Sequence, residues 1–192
     1  MTLPLVLIVL GIIFLYGGIK GYSITHLLQG KIEPRTPPNP PGTNSPVPGG
    51  GIIGDTSGYS SPITKSAQFE RVDQGVDYSQ TTPYKSIGSG IVRQIDTGWA
   101  GGTGKAVYID LDNPVQIGNR KYTGFYTAET NPLVSVGQRV EAGQPIASGG
   151  AAEIGFLING RPTPLQGGLG ASTRPTQAGT DFLNFVRQLL GI

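Results

Sequence analysis

The chain has 192 residues, of which 31 are glycine and 16 are proline, and it carries a net charge of only +2. It contains no cysteine and one histidine, which excludes disulfides, thiolate metal sites and zinc sites that need two imidazoles. The small net charge argues against a protein that binds nucleic acid through electrostatics. Charged residues make up 14% of the chain. Because soluble domains carry roughly 25%, we expect many turns, linkers and β-strands.

The N-terminal segment is apolar and is at the short end of the length that spans a bilayer. Residues 3–19 carry no charge, and Tyr16 and Lys20 lie where interfacial residues are expected. No basic residue precedes this run and no small-residue cleavage site follows it, so we expect it to be retained. The sequence predicts a transmembrane-type helix with a juxtamembrane turn over residues 1–30. The alternative is a helix that packs against other chains in an assembly.

Proline and glycine dominate the next segment, residues 31–58. Its proline-rich half is expected to be an extended polyproline II helix, and the three glycines at 49–51 add a flexible joint. We predict a linker that serves as a stalk between the N-terminal helix and a folded domain over residues 59–192.

The folded domain is predicted to be mainly β, a sandwich or barrel, because short alternating apolar and polar segments follow one another between glycine-rich turns. Near the end of the chain, apolar residues recur at helical spacing and predict an amphipathic helix over residues 180–190 that packs on the sheet. Thr180 is its expected cap, and Asp181 suits its positive end. The predicted strands cover residues 90–96, 105–111, 121–127, 145–148 and 152–158.

The segment 99–105 contains a Gly-Lys pair but does not match a nucleotide-binding loop. The glycine spacing of a phosphate loop is missing, and Lys105 precedes a predicted strand rather than a helix. We interpret this segment as a glycine-rich hairpin beside an exposed aromatic residue, Trp99, and expect no cofactor.

Residues 136–146 read V-G-Q-R-V-E-A-G-Q-P-I, which is similar to the small β-domains of two families. The biotinyl or lipoyl carriers need a lysine at a hairpin tip, usually beside methionine, and the only methionine here is Met1. The other family is the lysostaphin-type peptidoglycan endopeptidases, whose fold is built from a duplicated hybrid β-motif. Their first metal motif, H-x-x-x-D, resembles residues 73–77, with Asp73 in place of histidine. Their final H-x-H-F-E strand resembles residues 151–156, where both histidines are missing.

The order of these motifs over residues 71–158 implies a lysostaphin-like β-domain. In that family the histidine and aspartate of the first motif and the second histidine of H-x-H hold zinc. Only Asp77 of this set remains, so no zinc is expected. The resemblance therefore implies an inactive relative that keeps a groove for peptidoglycan or another cell-envelope ligand. The groove residues that it implies are Asp73, Asp77, Trp99, Tyr126 and Glu153.

The acidic residues of this region are also compatible with cation binding or with catalysis. If Asp73, Asp77 and Glu153, with Glu129, converge at the place of the zinc, they suit a hard cation or a pair of carboxylates for glycan cleavage. They are equally consistent with ordinary polar residues of turns and strands, since aspartate in a loop often bonds its own backbone. A carboxylate-based peptidoglycan hydrolase and an assembly protein that buries its apolar N-terminus in a homo-oligomer remain the alternatives.

Chains with a hydrophobic N-terminal helix, a proline- and glycine-rich stalk and a histidine-free domain of this type resemble proteins of actinobacteria and their tailed phages. This resemblance implies a protein that is membrane-associated through residues 3–19, or one that belongs to the tail of a phage virion. The partners that it implies are peptidoglycan, virion proteins or a second copy of the chain.

Overall fold

The computed structural model describes residues 54–99, 104–167 and 173–192. The predicted N-terminal helix and most of the predicted stalk lie outside the described residues. Within the described part, no helix has both the length and the apolar character needed to cross a membrane. The chain divides into two compact units, and residues 54–166 and 174–192 belong to the same one.

The described chain consists of β-strands and a C-terminal helix, as predicted. The elements are β1 Gln68–Val72, β2 Val76–Gln80, β3 Tyr84–Lys85, β4 Gly90–Gly98, β5 Gly104–Ile117, β6 Arg120–Ala128, β7 Arg139–Val140, β8 Pro145–Ala147, β9 Gly150–Ile158, β10 Arg161–Pro162, β11 Gln166–Gly167, β12 Thr173–Arg174 and α1 Gln177–Leu190. The main sheet has the order β1-β2-β9-β6-β5-β4-β7, with β10 paired to β9. Strands β3 and β8 form one small sheet, and β11 and β12 form another.

The alternating pattern of the central strands places side chains on two packed faces of the sheet. On β5, Val107 and Ile109 join the main hydrophobic core, whereas Ala106 and Tyr108 belong to a second, smaller cluster. Strands β4, β5, β6, β8 and β9 coincide with the predicted strands within a few residues at each end, except that β5 continues to Ile117. The period-two pattern was therefore a sound guide to these elements.

Helix α1 packs on the main-core face, as predicted. Phe182 lies edge-on against Phe156 of β9 at a centroid distance of 4.8 Å, and Phe156 in turn stacks on Tyr122 of β6 at 4.3 Å. Phe185 and Val186 are fully buried in the same core. The apolar stripe of the helix thus covers one face of the sheet and leaves the other face to the smaller cluster.

The predicted start of the helix was wrong. The helix begins at Gln177, and its cap is Thr176, whose side chain accepts a hydrogen bond from the backbone of Gly179 at 3.0 Å. A Cβ atom at Gly179 would lie 2.5 Å from the carbonyl oxygen of Asp73. Glycine is therefore needed here, because the first turn of the helix touches the turn between β1 and β2.

The predicted role of Asp181 at the helix end was also wrong. Asp181 lies in the second turn, is fully buried, and accepts hydrogen bonds from Arg120 at 2.6 and 3.0 Å. The hydroxyl of Tyr122 donates to it at 2.5 Å, and the side-chain amide of Gln177 donates at 2.9 Å. This carboxylate fastens the helix to β6 rather than serving the helix dipole.

Candidate functional site

Two acidic residues lie directly opposite each other on neighbouring strands of the main sheet. In the register of β2 with β9, Asp77 pairs with Glu153, and on the next strand Glu153 pairs with Ala128. Partners of this kind project from the same face, with Cβ atoms about 5 Å apart. That face carries the smaller cluster, away from α1. Because like charges in this position repel each other, the surrounding groups must compensate for the pair.

A third carboxylate comes from the turn between β1 and β2. Asp73 accepts a hydrogen bond from the backbone of Gly75 at 3.3 Å and donates its own N–H to the Gly75 carbonyl at 3.0 Å. The N–H of Thr176, the helix cap, donates to the carbonyl of Asp73 at 2.8 Å. These contacts fix the turn, and Asp73 is only 1% exposed.

The structure brings Asp73, Asp77 and Glu153 together. One carboxylate oxygen from each lies within 4.8 Å of the others, and we call these residues the acidic cluster. Glu129, the fourth predicted carboxylate, is not a member of this cluster. It is an exposed residue directly after β6, in the left-handed conformation with φ 66°.

Tyr126 of β6 closes the cluster on the Glu153 side. Its hydroxyl donates a hydrogen bond to Glu153, and its ring is completely buried. Two glycines make room for it: an added Cβ at Gly75 would lie 2.6 Å from the Tyr126 hydroxyl, and one at Gly155 would lie 2.8 Å from its Cε1 atom. The glycine of the predicted D-x-x-x-D segment therefore has a packing role.

Trp99 lies over Tyr126, with ring centroids 5.2 Å apart and planes inclined by 37°. Tyr108 stands beside both rings, 6.3 Å from Tyr126 and 6.4 Å from Trp99. The expectation of an exposed tryptophan was wrong, since Trp99 is half-buried against this cluster. The predicted groove residues Asp73, Asp77, Trp99, Tyr126 and Glu153 thus form one neighbourhood on the face opposite α1.

Arg71 of β1 is part of the site, although no motif in the sequence points to it. Its guanidinium forms an ion pair with Asp73 at 3.2 Å and a second one with Asp77. The side chain of Arg71 is 49% exposed, whereas those of Asp73 and Asp77 are 2% and 14% exposed. Arg71 therefore lies between the acidic cluster and solvent.

Burial changes the protonation of the acidic cluster. It raises the pKa of Asp77 to about 7, against the opposing charge of Arg71 and with help from the charge of Asp73. Burial also raises the pKa of Glu153 to about 8, although the hydrogen bond from Tyr126 opposes this rise. Burial, with the charge of Glu153, raises the pKa of Tyr126 well above its usual range. At neutral pH the phenol therefore keeps its proton, and most molecules hold a proton on Glu153.

The acidic cluster does not fit the zinc ion that active members of the lysostaphin-type family hold. Protein zinc sites draw on imidazole nitrogen or thiolate sulfur, and this cluster offers only carboxylate oxygen. The chain's one histidine, His26, lies outside the described residues, and the chain has no cysteine. Two of the carboxylates already face the guanidinium of Arg71, and the third accepts from Tyr126. Zinc chemistry therefore cannot be assigned to these residues.

No protein-family model and no curated protein matches the chain. Similar solved structures include a zinc-containing peptidase from Vibrio cholerae, at 19% identity and a TM-score of 0.43 over 55% of this chain and 38% of that one. Lysostaphin, determined by NMR, is similar at 17% identity and a TM-score of 0.46 over 69% of this chain and 56% of that one. The catalytic domain of lysostaphin from Staphylococcus simulans is similar at 17% identity and a TM-score of 0.36, over 71% of this chain and 92% of that one. The chain thus spans less than two thirds of the first two proteins.

Proposed function

We propose that this chain is a peptidoglycan-binding module with a lysostaphin-type domain that does not hydrolyse its ligand. One observation carries the proposal. The two segments that resemble the family's metal motifs bring Asp73, Asp77 and Glu153 together, and each carboxylate has an internal partner in Arg71 or Tyr126. On this proposal the chain keeps the scaffold of the family's site and has a set of ion pairs and hydrogen bonds in place of the metal-binding groups.

Burial argues against the alternative of a carboxylate-based glycan hydrolase. A general acid must come within about 3 Å of the oxygen that it protonates. Glu153 holds a proton at neutral pH, but it is only 4% exposed and accepts a hydrogen bond from the fully buried Tyr126. Asp73 is equally inaccessible. A substrate could reach either group only if the side chains packed around it moved.

The ligand surface that we propose lies around Trp99, at the margin of the acidic cluster. The guanidinium of Arg93 lies over the ring of Tyr108, 5.7 Å from its centroid, and the Tyr108 hydroxyl donates to Asp96 at 3.4 Å. Trp99, which is half-buried, supplies the accessible aromatic surface of this face, because Tyr108 is only 7% exposed and Tyr126 is fully buried; Arg93 and Asp96 add polar groups beside it. That mixture suits a ligand with apolar sugar faces and amide or hydroxyl edges, as peptidoglycan has.

The N-terminal segments give this module its proposed location. Residues 3–19 would hold it in a membrane or in a virion, and residues 31–58 would act as the stalk that carries it towards the cell wall. Cell fractionation of the full chain, compared with a variant in which Leu7 and Leu10 are replaced by aspartate, tests this part. Membrane recovery of the wild type alone supports the anchor, and equal recovery of both contradicts it.

Co-sedimentation of the full chain with purified peptidoglycan in mild detergent tests binding. The wild type should pellet with the polymer, and W99A should bind about tenfold more weakly because it removes the central aromatic residue. The matched control is L133A, which truncates an apolar side chain that is 54% exposed on another loop. Because Trp99 is the one tryptophan of the chain, its fluorescence should also change when soluble muropeptides bind. A wild type that stays in solution, or equal binding by W99A, would overturn the proposal.

A further inference from the structure

A β-bulge in β1 decides which side chain faces the acidic cluster. The register of β1 with β2 pairs Phe69 with Tyr78 and then Arg71 with Asp77, so Glu70 is the extra residue of the bulge. In a regular ladder the residue opposite Asp77 would be Glu70. The bulge therefore replaces a carboxylate by a guanidinium at this place, and bulges commonly re-aim side chains in this way.

We propose that the guanidinium of Arg71 is the built-in cation of the acidic cluster, delivered by the β1 bulge and standing where a metallopeptidase of this type holds its metal ion. The cluster is thereby closed and held together without a metal. This inference deepens the proposed function and rests on it for the alignment with the family's metal motifs.

The contacts of Arg71 are those that a bridging cation would make. Its Nη2 atom lies 3.2 Å from Asp73, in the turn, and its Nε atom contacts Asp77, on β2. One planar group thus ties two segments to each other, an arrangement that the rigid fork of donors in arginine favours. Glu153, the third acid, needs no cation at neutral pH, since it is largely protonated and accepts from Tyr126.

The charge balance supports the same assignment. Three acids lie within 4.8 Å of one another, and such a group repels itself unless positive charge or protons compensate for it. Glu70 at the position of Arg71 would add a fourth acid. A guanidinium there lowers the repulsion between the acids. The Arg71 side chain is about half exposed and the two aspartates are largely buried, so Arg71 shields them from solvent.

Thermal unfolding of the full chain in detergent tests this inference. The wild-type midpoint should not change when EDTA, calcium, manganese or zinc is added. R71M should lower it by about 5–10 °C. The charge swap E70R/R71E should lower the midpoint further, because it places a glutamate opposite Asp77 while the composition and the net charge stay the same. The matched control R139M removes an exposed arginine that pairs with Asp112, and it should change the midpoint by less than about 2 °C.

A second variant separates charge from packing. If Arg71 serves as the cation, D77N should restore most of the midpoint lost in R71M, because it removes one of the two charges that Arg71 faces. Equal losses in R71M and R71M/D77N, including failure of both to fold, would overturn the inference. A wild-type midpoint that falls in EDTA would overturn it too. So would a midpoint that rises when a cation is added to the wild type but does not rise when the same cation is added to D77N. Failure of peptidoglycan binding would leave all of these midpoints unchanged, so the two proposals fail separately.

Discussion

Two buried acidic groups lie on opposite sides of the main sheet, and their surroundings differ. Asp181, on the helix side, is a single carboxylate that accepts four hydrogen bonds, two of them from Arg120. On the other side, among the described residues, the three acids of the acidic cluster share the guanidinium of Arg71, the phenol of Tyr126, the backbone N–H of Gly75 and the side chain of Gln74. The first arrangement has a full complement of donors, and the second has fewer donors than its acids can accept.

The difference is between a carboxylate whose charge is fully compensated and a cluster of acids whose charges are compensated only in part. A buried carboxylate with a complete set of donors fastens two elements together, and it is costly to break. Crowded acids whose pKa values are raised to about 7 and 8 weaken the fold at neutral pH and are typical of functional sites. The two regions therefore contribute differently to the free energy of unfolding at neutral pH.

The largest effect should come from the Asp181 side. D181A removes the acceptor of four hydrogen bonds and leaves Tyr122 and Arg120 without it, so it should lower the free energy of unfolding by about 3–5 kcal/mol. Urea denaturation measures this change. The control D112A breaks an exposed pair with Arg139 and should cost less than about 1 kcal/mol. Similar losses in the two variants would remove the contrast between the two faces.

An intermediate effect is expected where the sheet makes room for Tyr126. A Cβ atom at Gly155 would lie 2.8 Å from Tyr126 and 3.0 Å from the Cα atom of Gly75, and backbone on one side limits relaxation. G155A should therefore lower the free energy of unfolding by about 1–3 kcal/mol. The control G54A, where nothing lies within 4 Å of the added atom, should change it little. A neutral G155A would mean that Tyr126 is not held against Glu153.

The effect that sharpens the comparison most is on the pH dependence of stability. The folded-state pKa values of Asp77 and Glu153, about 7 and 8, lie above the ordinary values of 3.8 and 4.5. The folded chain therefore binds more protons than the unfolded chain between these limits, and stability contributed by the two groups is lost as the pH rises through 7 and 8. E153Q should flatten this decline in urea titrations at several pH values. Its control, E141Q, changes an exposed acid and should keep the slope, whereas a decline unaltered by E153Q would contradict the assignment.

Much of the fold follows from local patterns. Period-two alternation located the central strands. Gly137 and Gly143, in the turns on either side of β7, adopt the left-handed conformation with φ of 82° and 81°. The helix start was missed because Gly179 resembles a helix breaker. Only the close approach of the helix to Asp73 explains why glycine stands inside the first turn.

The site was predictable only in part. The order of the motifs along the chain was enough to predict that Asp73, Asp77 and Glu153 lie close together. Arg71 was not predictable, because its position opposite Asp77 depends on a bulge that no local pattern in β1 announces. The hydrogen bond from Tyr126 to Glu153 depends in the same way on the pairing of β6 with β9, which joins residues far apart in the sequence.

Chromatographic analysis of the muropeptides released from purified peptidoglycan tests the central claim most directly. The full chain, incubated with the polymer with and without added zinc, should pellet with it and release no soluble fragments. E153Q and D73N should give the same chromatogram as the wild type. Fragments that the wild type releases and that either variant abolishes would contradict the claim that this site binds without hydrolysis.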